Sequence, residues 1–192
     1  MRTCTLALLV CLLAATALAQ EGPSRLRSVQ AAFVQEKHLK ILVKPLVSTG
    51  TFAFQTPHSL RWEYRSPVRS LLLMHEGRIR KLIERDGRLE PDNGAGVEAM
   101  QVVFQDLGRW LDGRFEDNPM FAAARPDART VVLTPKEEGL RAMISRIELH
   151  LGEQEGVMER VIIVEGEAGA TELRFTDAVV NREIPASVFT EP

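Results

Sequence analysis

The stretch SLRWEYRSP, Ser59–Pro67, alternates apolar and charged side chains. Leu60, Trp62 and Tyr64 share one parity, and Arg61, Glu63 and Arg65 share the other. A period of two marks a strand that buries one face and leaves the other polar. It also sets one of the two tryptophans beside the sole tyrosine on a single apolar face.

The same rhythm extends outward from this strand. STGTFAFQTP (48–57) places Gly50, Phe52 and Phe54 on one side. RSLLLMHEGRIRKLIERDG (69–87) reads as a hairpin around Glu76-Gly77 with a second turn at Asp86-Gly87. TVVLTP (130–135), AMISRIELHLG (142–152), VMERVIIVEG (157–166) and TELRFTDAVVN (171–181) continue the series, and IPASVF (184–189) closes the chain. In the third-last of these, Met143, Ile147, Leu149 and Leu151 face one way, opposite Arg146, Glu148 and His150. Upstream, Leu39, Ile41 and Val43 alternate with His38, Lys40 and Lys44 until Pro45. Short strands at about ten-residue spacing predict an antiparallel meander.

Two segments break the rhythm. SRLRSVQAAFVQEKHLK opens with Ser24 as N-cap, and Leu26, Val29 and Phe33 predict a short helix. In EPDNGAGVEAMQVVFQDLGRWLDGRF (90–115), Val97, Met100, Phe104, Leu107, Leu111 and Phe115 recur at steps of three and four, an amphipathic helix. Val103 and Trp110 widen its apolar stripe, while Gly108 and Gly113 cost it about 1 kcal/mol each relative to Ala. With so few helices, one curved sheet wrapped around one or two of them is the expected solution. The fold class is mainly β (α+β).

MRTCTLALLVCLLAATALAQ has one basic residue, an apolar run from Leu6 to Ala19, and Ala17-Leu18-Ala19 before Gln20. It reads as a signal peptide cleaved after residue 19 and too short to span a bilayer, leaving residues 20–192 as a single domain in the periplasm. Both cysteines, Cys4 and Cys11, fall inside it, so disulfide and thiol chemistry are absent from the rest. Val10, where a lipid-attachment signal needs a small residue, argues against lipidation of Cys11. Without Arg2 the formal charge goes from −2 to −3, with both signs dispersed, which gives nucleic acid no footprint.

No catalytic or metal constellation stands out. GAGVEA (94–99) fits a G-x-G-x-x-A pattern, but a loop precedes it where a parallel strand is required, so it reads as a glycine hinge. His38, His58, His75 and His150 form no close ligand pair. What stands out is apolar: Phe52, Phe54, Leu60, Trp62, Leu72, Met74, Leu149, Leu173 and Phe175 on strands, with the helix stripe. A filled core and a ligand cavity require the same residue types, so this pattern alone does not separate them.

The order of motifs does. FVQEKHL, STGTFAF, PHSLRWEYRSP, LLLMHEG, VVLTPK and NREIPASVF together resemble the periplasmic outer-membrane lipoprotein carrier family of LolA type, probed best by G-x-F-x-F followed by P-x-x-L-x-W-x-Y-x-x-P. The resemblance implies an open antiparallel β-barrel or half-barrel covered by helices, with an apolar cavity for acyl chains. It further implies a non-enzymatic monomeric carrier of lipoproteins or lipids, without cofactor or metal, served by an inner-membrane donor complex and an outer-membrane acceptor. Phe52, Phe54, Leu60, Trp62, Leu72, Met74, Leu149 and Phe175 would line the sheet side, and Met100, Phe104, Leu107 and Leu111 the lid side. One departure bears on the lid: those carriers have a latching Arg before the proline, and here the position is Thr56. An envelope lipid-sensing or interaction module is the alternative on the same fold, and a small enzyme using the cavity a further one.

Overall fold

The segment expected to open the chain as a helix is instead a strand. The computed structural model describes residues 26–92, 109–111, 113–116, 118–154, 157–166 and 169–192. In it, β1 (Ser28–Leu39) pairs antiparallel with two neighbours at once. Val29 and Phe33 are four residues apart, a spacing that suits one face of a helix and one face of a strand equally well. Long-range pairing decides the outcome: Val29 sits opposite Phe54 on one side and Val180 on the other.

From β1 the chain meanders through β2 (Leu46–Gln55), β3 (Ser59–Ser66), β4 (Ser70–His75), β5 (Arg78–Arg85) and β6 (Arg88–Pro91). The turns at Glu76-Gly77 and Asp86-Gly87 both have two consecutive positive φ angles, the hairpin geometry that matches strand twist. A second set follows: β7 (Phe121–Ala124), β8 (Thr130–Pro135), β9 (Arg146–Leu151), β10 (Met158–Glu165) and β11 (Gly169–Val180). The strand order is β6-β5-β4-β3-β2-β1-β11-β10-β9-β8-β7, a single open antiparallel sheet of eleven strands. Besides the helical residues 109–111 there are two short helices, α1 (Glu138–Met143), between β8 and β9, and α2 (Ser187–Thr190) at the end of the chain.

Leu72 and Met74 on one wing and Val131, Leu133, Ile147 and Leu149 on the other belong to one buried cluster. The sheet therefore curls, and its concave side closes on Trp110, Leu111 and Phe115. Residues 109–111 are helical and end in a left-handed Gly113 at φ 72°. Gly113 N–H donates to the Trp110 carbonyl and Arg114 N–H to the Arg109 carbonyl, the paired bonds of a Schellman stop. Gly113 thus terminates the helix, and Phe115, assigned above to the helical stripe, is buried beyond its end.

Two further expectations change. Ile41 and Val43 lie in the β1–β2 turn, not in a strand, and are 87% and 102% exposed. Met143 lies in α1 and is exposed, so β9 starts only at Arg146. The signal segment 1–19, Ser24, GAGVEA and most of the central helix lie outside the described residues.

The convex side is covered as well, over β3 and β4. Here Arg61 binds the Glu63 carboxylate at 2.9 and 3.1 Å and donates to the carbonyls of Val188 and Glu191 at 3.1 and 2.7 Å. Arg69 reaches the other oxygen of Glu63 at 3.0 Å. Phe189 is buried, stacked on His75, and packs in a cluster with Ala53 and Ile184. The returning C-terminal segment converts a surface carboxylate into one only 8% exposed.

Candidate functional site

β2, β3 and β11 build an aromatic floor on the concave face. Phe52 and Trp62, directly paired across β2 and β3, meet edge to face at 5.4 Å. Phe175 approaches Phe52 at 6.0 Å and Trp62 at 6.2 Å. Phe33 contacts Trp62 and Tyr64, each at 5.2 Å. Perpendicular and tilted ring pairs of this kind add roughly 0.5–1.5 kcal/mol beyond burial.

Gly50 makes room for this cluster. It lies opposite Phe33 across β1 and β2, and a Cβ there would come within 2.5 Å of the Phe33 ring and 2.0 Å of the Glu63 carbonyl oxygen. A glycine at this position lets Phe33 lie flat over the strand, which gives the first residue of the G-x-F-x-F motif a physical reason. The Tyr64 hydroxyl donates to Gln35 Oε1 at 2.7 Å. Burial raises its pKa, with a partial counter-effect from Trp62.

Above the floor lies a cavity of about 90 Å³ lined almost wholly by carbon. Phe52, Trp62 and Phe175 form its base, Ile147, Leu149 and Leu173 one wall, and Trp110 and Leu111 its roof. Val29 and Ala31 of β1 and Met158, Val161, Ile163 and Ala178 complete it with Val157. Both tryptophans of the chain therefore border one void. Among the described residues the buried Trp110 indole N–H has no hydrogen-bond partner.

Of the residues expected from sequence to line a cavity, Phe52, Trp62, Leu111, Leu149 and Phe175 border it. Phe54, Leu60, Leu72 and Met74 are in the same buried cluster but do not line it. Met100, Phe104 and Leu107 lie outside the described residues. Val29 and Ala31 were missed because their segment was assigned to a helix. Small residues such as Ala31 and Ala178 carry no sequence signal of their own, although they leave the space.

Thr56, just before Pro57, bonds to the backbone of the entry to β1. Its N–H and its hydroxyl both donate to the Arg27 carbonyl, at 2.9 and 3.2 Å, and tie the β2–β3 turn to the entry of β1. On the opposite wing, Lys136 donates to the Asn118 carbonyl at 2.9 Å and anchors the approach to β7. Among the described residues no group of three or more His, Cys, Asp or Glu is placed to hold a metal ion. No helix among them is long and apolar enough to cross a membrane.

Comparison with known proteins gives this geometry a context. Residues 24–79 match the family model of the outer membrane lipoprotein carrier protein LolA. That stretch runs through β1–β4 and carries Gly50, Phe52 and Trp62. No curated protein matches the chain. Among solved structures, a DUF1329 family protein from Desulfovibrio piger aligns over 85% of this chain and 90% of its own, with 10% identity and a TM-score of 0.45. A putative outer membrane lipoprotein-sorting protein domain from Vibrio parahaemolyticus aligns over 89% and 91%, with 9% identity and a TM-score of 0.41. A LolA superfamily protein from Nitrosomonas europaea aligns over 86% and 90%, with 8% identity and a TM-score of 0.40. At these TM-scores the structural likeness is broad only. By its residues 24–79 the chain is LolA-like.

Proposed function

We propose that this protein is a non-enzymatic periplasmic carrier that shields acyl chains of lipids or lipoproteins between the inner and outer membranes. The observation that carries the reading is the carbon-lined cavity between the aromatic floor and the Trp110–Leu111 roof. Its chemistry suits a hydrocarbon chain, and the Trp110 N–H, without a hydrogen-bond partner among the described residues, is a donor that an ester or amide carbonyl would satisfy.

The physical need for such a carrier is large. At ~0.8 kcal/mol per buried CH₂, a sixteen-carbon chain loses roughly 12 kcal/mol when exposed to water. Full burial of three such chains would pass the ~20 kcal/mol ceiling of non-covalent binding, so a carrier that releases cargo must hold it incompletely. The cavity as it stands fits this condition. About 90 Å³ is well below the ~300 Å³ at which ligand pockets begin, so a chain enters only as the roof side chains yield. The strain of that opening subtracts from affinity and leaves release feasible. Delivery would require a donor at the inner membrane and an acceptor at the outer one.

The test is the content of protein purified from native periplasm. Solvent extraction and mass spectrometry are expected to find bound fatty-acyl lipid, and a fluorescent fatty acid is expected to be displaced by unlabelled palmitate. Finding neither would overturn the proposal.

A further inference from the structure

The turn between β1 and β2 carries KHLKILVKPLV, residues 37–47, beyond the body of the sheet. On one side β11 begins only at Gly169, opposite Leu39. On the other, β3 pairing ends at Thr49 opposite Ser66, so Leu46 and Val47 have no strand beside them there. Ile41 and Val43 have almost no protein around them, and Leu42, Leu46 and Val47 are exposed too. Five large apolar side chains on one projecting tip are costly in water, and such exposure marks an interaction surface.

Charge identifies the partner. Lys40 and Lys44 bracket Ile41–Val43, and Lys37 and His38 lie just behind. From Lys37 to Gln55 there is no Asp or Glu. Lys37 is held by Glu165 at 3.1 Å, whereas Lys40 and Lys44 form no ion pair among the described residues. A protein partner with a flat surface would cover one side of such a tip, but the exposed Leu46 and Val47, consecutive in β2, lie on opposite faces of the hairpin. A fluid bilayer surrounds a projection on all sides. Lysines flanking the apolar residues can extend to phosphate groups while their stems stay in the acyl boundary. Unpaired backbone groups in the turn limit entry to the interfacial region.

We infer that the β1–β2 tip docks the protein onto the surface of an anionic phospholipid bilayer, with Ile41, Leu42 and Val43 inserted and Lys40 and Lys44 at the headgroups. This goes beyond the carrier reading and does not depend on it. Val29, at the cavity, and Leu39, at the tip, are ten residues apart, about 33 Å of strand.

The test is flotation of the full chain with vesicles of equal parts phosphatidylethanolamine and phosphatidylglycerol, and with phosphatidylcholine alone. Binding to the anionic vesicles is expected, weakened by added salt and weaker on phosphatidylcholine. Ile41→Ser with Val43→Ser is expected to lower affinity at least ~10-fold, and Lys40→Gln with Lys44→Gln to lower it several-fold and flatten the salt dependence. All four side chains are exposed, so circular dichroism melts of these variants are expected to match the wild type and certify the fold. The inference is overturned if the wild type does not bind anionic vesicles, or if Ile41→Ser with Val43→Ser binds as well as it does. Loss of self-association in that variant, without vesicle binding by the wild type, would assign the tip to a second copy and also overturn it. Absence of palmitate displacement in the wild type, with vesicle binding retained, would count against the carrier reading alone.

Discussion

Gly50→Ala adds one methyl group to the concave face and tests how the aromatic floor is built. The new Cβ would lie 2.0 Å from the Glu63 carbonyl oxygen and 2.5 Å from the Phe33 ring. Ordinary contacts of this kind are above 3 Å, so the carbonyl must withdraw by about 1 Å and the ring by about half that. The ring could tilt, but the carbonyl belongs to β3, beside the bulge that sets Gly50 opposite Tyr64, and cannot move alone. Overpacking costs ~1–3 kcal/mol, and a clash with paired backbone belongs at the upper end, about 3 kcal/mol. For a domain of this size that lowers the midpoint of thermal unfolding by ~6–12 °C. Circular dichroism melts of the two proteins measure it directly. The sign is informative because Gly→Ala at a compatible site stabilises by ~0.4–1 kcal/mol through the unfolded chain. A Gly50→Ala protein as stable as the wild type, or more so, would refute the packing described for Phe33 and Gly50.

Other perturbations address the cavity and the buried polar groups. An empty volume of about 90 Å³ costs roughly 2 kcal/mol at ~24 cal/mol per Å³, so Ala31→Leu, which grows into it, is expected to raise the unfolding midpoint while abolishing fatty-acid displacement. Loss of both would mean the space is already taken. At Glu63, burial opposes ionisation, but hydrogen bonds and charge from Arg61 and Arg69 outweigh it and hold the pKa below the ordinary carboxylate range. That contribution to stability is therefore present above the unfolded pKa of about 4.3 and lost as pH falls through the lower folded value. Glu63→Gln should cost ~3 kcal/mol at neutral pH in urea titrations, with a gap to wild type that closes under acid; a pH-independent gap would contradict the ion-pair account. The single Tyr64 is expected to ionise above the usual tyrosine range, read by ultraviolet absorbance, with stability lost as pH rises from about 10 through that higher value. Titration at the ordinary value would contradict its burial against Gln35.

Much of the fold was legible because alternation survives wherever a strand has one buried face. Leu60, Trp62 and Tyr64, or Ile147 and Leu149, announce their side of the sheet without further information, as do the Glu76-Gly77 and Asp86-Gly87 turns. The failures share a cause: the deciding contact was distant in sequence. Val29 and Phe33 fit both periods, and only β2 and β11 settle them as strand. Ile41 and Val43 keep the alternation but lie past the last rung of the ladder. Glu63 has the parity of a solvated residue, yet residues 184–189 return over it from the far end of the chain. The site was legible in chemistry and not in shape. Phe54 and Phe52 look alike in sequence, and which of them borders a void depends on how far the sheet curls.

The carrier reading reduces to whether an acyl chain occupies the space between Trp62 and Trp110. Because these are the only tryptophans, their fluorescence reports on that space alone. Titration with a fatty acid brominated along its chain is the direct measurement, since bromine quenches an indole only on near contact. The expected result is saturable quenching of most of the emission, absent in Ala31→Leu and reversed by unbrominated palmitate. Unquenched emission in the wild type, or equal quenching in Ala31→Leu, would contradict it.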